Sequence, residues 1–266
     1  MNKKVLFAFF VLLICITLIV VSYLQWDDKL SSHYGNIETK ESVSSPPVKT
    51  KPIEKTEESV VDSETLKLIA NQDESVQTVF QDRITSGEKV QFLITGSDLL
   101  NSGDPGYGER LKVALEEAYG DSIEVTVNGF DQTIAQFTQD NPINVEAGYD
   151  VVLFEPFTLR SNGEVEIGDQ LDQIETFNDN LKEQVKDVAL VINPSNPIHA
   201  ATIYPSQVET VKTFVQSEKI PYIDHWEDWP DPNSDEIVEL LDEDSAPNSS
   251  GAEIWAEALI EYFIAK

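Results

Sequence analysis

From residue 89 to the C-terminus, short apolar runs alternate with longer stretches in which apolar residues recur every three or four positions. The short runs, 90–95, 123–128, 150–154, 188–192 and 221–224, are rich in Val, Ile, Leu and Phe, and each gives way to Gly, Asn, Pro or Asp, the pattern of buried strands closed by turns. The longer stretches at 107–119, 131–139, 168–185, 205–218, 234–241 and 249–265 predict helices, and another at 64–82 (Leu66, Ile69, Ala70, Val76, Val79, Phe80) precedes the first strand. In the last of them Ile254, Trp255, Ala258, Leu259, Tyr262 and Phe263 form one apolar stripe, with Asn248 or Ser249 placed to cap its start. Strands that alternate with helices of this length require crossover connections. The expected fold is therefore α/β, a three-layer α/β/α sandwich with a parallel sheet of about five strands.

The residues around which such a fold builds a site follow its strands. In open parallel sheets, ligands occupy the crevice beyond the carboxyl ends. Gly96-Ser97-Asp98 follows the first strand, Asn128-Gly129 the second, Glu155-Pro156-Phe157-Thr158 the third and Asn193-Pro194-Ser195-Asn196 the fourth, while residues 242–248 lead into the last helix. All five segments are expected on one rim.

Ahead of the domain, residues 5–24 are uncharged and apolar, about 20 positions, enough to cross a bilayer of about 30 Å. Lys3 and Lys4 precede this run and place it as a signal anchor with the remainder outside the cytoplasm. Residues 26–63 are polar, with Ser44-Ser45-Pro46-Pro47 and scattered Lys and Glu, and read as a disordered spacer. The division is thus 1–25 anchor, 26–63 linker and 64–266 folded domain. The single cysteine, Cys15, falls within the apolar run, so the domain is built without disulfides. With 18 Lys+Arg against 48 Asp+Glu, the chain carries a net charge of −30, which excludes general affinity for nucleic acid or for an anionic lipid surface. Membrane contact is expected through the N-terminal helix only. Arg83, Arg110 and Arg160 are scattered rather than clustered, and neither a metal-ligand pattern nor a cofactor is expected.

The order of elements, Gly96-Ser97-Asp98 after the first strand, Gly129 after the second, Asp224-His225-Trp226, and Pro247-Asn248 followed by Gly251 and Trp255-Ala256 together resemble the SGNH/GDSL hydrolase family, especially exported members from Firmicutes. The resemblance covers residues 88–266 and implies a flavodoxin-like arrangement. It also implies an esterase in which a Ser nucleophile, a His base and an orienting Asp cleave acyl esters beside an oxyanion site.

Several of those chemical positions differ here. Asp98 stands in the nucleophile slot and Ser97 beside it; Ala246 stands where the base belongs, Glu243 where its carboxylate belongs, and the segment at Glu155 replaces the oxyanion Asn block. Ser97 with His225 is the surviving nucleophile and base pair, oriented by Asp224 or Asp228, against a structural reading of His225 as one hydrogen-bonded loop residue. Asp98, Glu155 and Glu243 form an alternative carboxylate set, suited to a hard cation or to sugar hydroxyls. Gly96, Gly129, Glu155 and Asn248 are the candidate substrate-binding positions. Two functions follow: an extracytoplasmic esterase or deacylase acting on an envelope carbohydrate or lipid, and an inactive module binding a cell-envelope glycan, an acylated small molecule or a protein.

Overall fold

In the computed structural model of the chain, the described residues are 64–144 and 147–266. The apolar run at 5–24 and the polar stretch at 26–63 lie outside them. Among the described residues no helix is long and apolar enough to cross a membrane.

Four strands form one sheet: β1 (Val90–Ser97), β2 (Ile123–Phe130), β3 (Val151–Phe154) and β4 (Ala189–Ile192). Their order is β2-β1-β3-β4, and every neighbouring pair is parallel. The chain leaves β1 for β2 on one side and returns to the other side for β3. The β1/β3 junction is therefore the switch point at which a doubly wound sheet opens its crevice.

Alternation along the central strands sorts the core into two layers. Phe92, Ile94, Val151, Leu153 and Val191 face one cluster, while Leu93, Val152, Phe154, Leu190 and Ile192 face the other. The first cluster is completed by α1 (Glu74–Ser86), α2 (Tyr107–Tyr119) and α6 (Ser249–Phe263). The second is completed by α3 (Ile134–Asp140), α4 (Ile167–Gln184) and α5 (Tyr204–Ser217). Trp255, Leu259 and Phe263 of α6 are wholly buried, as their spacing predicts, each contributing on the order of 2 kcal/mol.

Three expectations about elements need correction. The fifth apolar run does not form a strand: Tyr222 makes a single parallel bridge to Ile192, with Ile192 N–H donating to Pro221 O at 2.8 Å and Ile223 N–H to Ile192 O at 2.9 Å. Pro221 has no N–H to extend the ladder, and Lys219 just before it turns the chain at φ 58°. The run at 234–241 is a 3-10 helix, Asp235–Leu240, rather than an α-helix. The predicted helix at 64–82 divides into a short 3-10 turn, Leu68–Asn71, and α1.

Candidate functional site

β1 and β3 end side by side, and the close fit of their ends depends on Gly96. Its φ is 155°, and a Cβ there would stand 2.6 Å from both the Cβ and the carbonyl oxygen of Glu155. That proximity lets Glu155 turn inward. Its side chain is fully buried, Oε2 accepting the Ser97 N–H at 2.7 Å and Oε1 accepting the Ser195 hydroxyl in a short hydrogen bond. Burial pushes the Glu155 pKa up, while hydrogen bonds from the side chains of Ser195 and Ser97 and the amides of Ser97 and Phe157 pull it back. The Ser97 hydroxyl lies beside this carboxylate, buried, without a hydrogen bond of good geometry.

The structure does not bring His225 to Ser97. His225 opens the 3-10 turn His225–Asp228 and lies flat on Trp255, ring centroids 4.4 Å apart and planes 12° from parallel. Trp229 Nε1–H donates to its Nδ1 at 3.0 Å, so Nδ1 is the unprotonated nitrogen. The Nε2–H therefore donates to Pro194 O, 2.8 Å away. The one lone pair with which the imidazole could take a proton is already in use. Desolvation in this buried position moves its pKa down to about 4, against smaller raising effects from Pro194 and Asp224. Asp224 neither touches the ring as an orienting group nor stands free: it accepts from Trp226 N–H at 3.3 Å and pairs with Lys212 at 2.6 Å.

Asp98 is held by a two-pronged hydrogen bond from Arg160, both contacts 2.8 Å. Glu243 projects into solvent from the loop before α6. Ala246 in that loop is buried; its N–H donates to Asp242 Oδ1 at 2.9 Å, so the segment is closed by its own hydrogen bonds. The carboxylates of Asp98, Glu155 and Glu243 thus do not form a common cluster, and among the described residues no group of three His, Cys, Asp or Glu side chains is arranged to hold a metal ion.

Asn248, a candidate binding residue, is the α6 cap. Its Oδ1 accepts from Ser250 N–H at 2.9 Å and Gly251 N–H at 3.2 Å, and its Nδ2 donates to Glu239 O at 2.7 Å. Gly129 serves packing: a Cβ there would lie 2.8 Å from Asn101 Nδ2, in the turn that follows Asp98. His199 is exposed on the loop after β4.

Glu155, Ser97 and Gly96 are brought together, and Asp98 follows them on the rim with its charge neutralised. Three residues that the sequence did not single out for a role in the site complete the arrangement. Ser195 supplies a hydrogen bond to Glu155 from the loop after β4, and its place beyond an apolar strand was its only signal. Tyr107 stacks against Trp255, centroids 4.0 Å apart, its pKa raised well above normal by burial and by the Glu155 charge. Trp255 bridges Tyr107, His225 and Asn193, whose Oδ1 accepts the indole N–H at 2.9 Å. Chemically, the assembly is a buried polar plug: hydrogen-bonded, low in dielectric, with a carboxylate but no imidazole beside its serine hydroxyls.

Solved structures with a similar fold include esterases and lipases. Axe2, an acetylxylan esterase from Geobacillus stearothermophilus, is 14% identical with a TM-score of 0.53, over 65% of this chain and 93% of its own. A lipolytic protein of the G-D-S-L family from Desulfitobacterium hafniense is 14% identical at TM-score 0.52, over 65% and 99%. The lipase/acylhydrolase from Enterococcus faecalis is 13% identical at 0.51, over 64% and 93%. No protein-family model and no curated protein matches the sequence. At these identities the comparison speaks for architecture alone, and with the sheet order it establishes that this chain has the SGNH/GDSL hydrolase-like fold.

Proposed function

We propose that this domain is an SGNH-fold binding module that has given up serine-dependent acyl transfer, and that it recognises a glycan of the cell envelope. One observation carries the first half. The Ser97 hydroxyl is buried and has no imidazole as a partner, because the candidate His225 spends both ring nitrogens on Pro194 and Trp229. A serine hydroxyl without a base is a poor nucleophile, and loss of the triad base alone removes several orders of magnitude in rate. Glu155 adds to this, since a carboxyl group at the β3 terminus, where the resemblance would set the oxyanion site, repels negative charge whenever it ionises. Asp98 offers no substitute while Arg160 engages both of its oxygens.

The glycan half is supported by charge and by analogy. A net charge of −30 disfavours anionic ligands, and the similar structure from Geobacillus stearothermophilus is named as an acetylxylan esterase, so this scaffold is compatible with carbohydrate recognition. The apolar run at 5–24, behind Lys3 and Lys4, supports display outside the cytoplasmic membrane on a polar stalk.

The test is ester hydrolysis by the full chain in detergent, with p-nitrophenyl acetate and an O-acetylated xyloside, beside Ser97→Ala and His225→Ala. The expected result is no turnover above the buffer and protein background in any of the three. Turnover in the parent that disappears in Ser97→Ala would overturn the reading.

A further inference from the structure

Beside the sealed rim lies an open cleft of about 410 Å³, between the loop that follows β3 and the first turns of α5. Its volume lies within the range of small-molecule sites. Asn162, Glu164 and Glu166 come from the loop; Ser206, Gln207 and Thr210 come from α5. Val165, Ile167 and Ile203 supply apolar surface, and Ile203 is 67% exposed.

The lining side chains are rich in acceptors. The Ser206 hydroxyl donates its proton to Ile203 O at 2.6 Å and the Thr210 hydroxyl donates to Ser206 O at 2.7 Å, so both turn lone pairs outward. Gln207 Oε1 is buried and has no hydrogen-bond partner. Glu164 and Glu166 add carboxylates, and no Lys or Arg lines the cleft. The two glutamates also stand at the start of α4, where they offset the positive end of that helix and oppose an anion.

The cleft is held in shape before any ligand arrives. Ser161 is fully buried, accepting Ile134 N–H on its hydroxyl at 3.1 Å, and its carbonyl accepts from Glu164 at 3.0 Å and Val165 at 2.9 Å. Tyr204, at the start of α5, is buried and donates its hydroxyl to Asn196 O at 3.0 Å. A preorganised cleft spends less binding energy on ordering itself.

We propose that this cleft, rather than the rim at the β1/β3 junction, is the carbohydrate site, and that it takes an uncharged or amine-bearing sugar whose hydroxyls donate to Ser206, Thr210 and the two glutamates and accept from the amides of Asn162 and Gln207 while a C–H face rests on Ile203. The proposal rests on the binding-module reading, yet its test is separable from it. Saturation-transfer NMR on the full chain in detergent, with xylobiose, N-acetylglucosamine, glucosamine and glucuronate at tens of millimolar, reads binding directly. An O-acetylated xyloside in the same series releases free acetate if hydrolysis occurs, which would sink the reading without touching the cleft. Transfer is expected to xylobiose, to an amino sugar or to both, with glucuronate silent. It is expected to fall at least about five-fold in Asn162→Ala/Gln207→Ala, the loss of one or two hydrogen bonds, with an unchanged unfolding midpoint. A Glu164→Gln/Glu166→Gln variant is expected to weaken glucosamine more than xylobiose. Silence from every sugar, transfer that both variants leave intact, or binding of glucuronate alone would overturn the proposal.

Discussion

The rim at the β1/β3 junction and the cleft beside α5 are close neighbours with opposite character. At the rim, polar side chains are buried and spent on one another: Glu155 on Ser97 and Ser195, His225 on Pro194 and Trp229, Trp255 on Asn193. In the cleft, Asn162, Glu164, Glu166, Ser206 and Thr210 face solvent. On the binding-module reading proposed above, the contrast is that of a scaffold that keeps its fold without serine-dependent chemistry. Once the base position holds alanine, nothing requires a channel to Ser97, and inward-turned polar groups stabilise the domain instead. Fold-giving residues concentrate at the rim, and residues free for recognition concentrate beside it.

The sharpest separation between the two regions is in stability. Gly96→Ala forces a methyl group into the Glu155 backbone, an atom that cannot swing aside, and Trp255→Ala removes the ring that joins Tyr107, His225 and Asn193. Each is expected to cost about 3–5 kcal/mol, read as a shift in the urea midpoint. Asn162→Ala in the cleft is expected to stay within about 0.5 kcal/mol. Equal effects in the two regions would dissolve the contrast.

A smaller effect is expected on acidification. His225 has its folded pKa lowered to about 4. Between that value and its ordinary value near 6.5 the unfolded chain binds a proton that the folded chain refuses, so stability falls as pH drops through this window, by on the order of 3 kcal/mol for the full 2.5-unit difference. Glu155 acts in the opposite sense. Its pKa is raised, so its buried carboxyl favours the protonated form, and stability is lost as pH rises through the folded value. Urea unfolding from pH 4 to 8 is expected to show a loss on the acid side that His225→Gln flattens. Glu155→Gln, which cannot ionise, is expected to leave that acid limb in place. An acid limb identical in parent and His225→Gln would mean the imidazole is not buried as described.

Next in size is the cap of α6. Asn248→Ala strips two amide hydrogen bonds from the first turn of the helix that carries Trp255, and about 1 kcal/mol is expected in the same measurement. No change would mean that water replaces the side chain at no cost.

Much of the architecture was legible because it is written in periodicity. The runs at 90–95 and 150–154 could be nothing but buried strands, and the stripe from Ile254 to Phe263 could only be a docked helix. The fifth run failed on one atom, the missing N–H of Pro221, which hydrophobicity does not register. The site was legible in position but not in connectivity. Gly96, Ser97 and Glu155 were expected on one rim and are found there, whereas His225 stood between a base and a hydrogen-bonded loop residue, and the structure takes the second, since Trp229, four residues on, claims its Nδ1. Arg160 looked like one of three scattered cations; it is the partner of Asp98, 62 residues away in sequence. Long-range pairing of this kind follows from the fold and has no local signature.

The smallest expected effect tests where the plug ends. Asp98 and Arg160 form a well-aligned pair, but their side chains are 34% and 39% exposed, so water screens the attraction and solvates either partner when the other is removed. Arg160→Ala should therefore cost less than about 1 kcal/mol, and less again at high salt. If the pair instead belonged to the buried network, leaving Asp98 unpaired would cost several kcal/mol and the loss would persist at molar salt. The first outcome places the boundary between sealed interior and available surface just beyond Ser97. The second would extend the plug over the whole rim, leaving the cleft beside α5 still further removed from the ancestral chemistry.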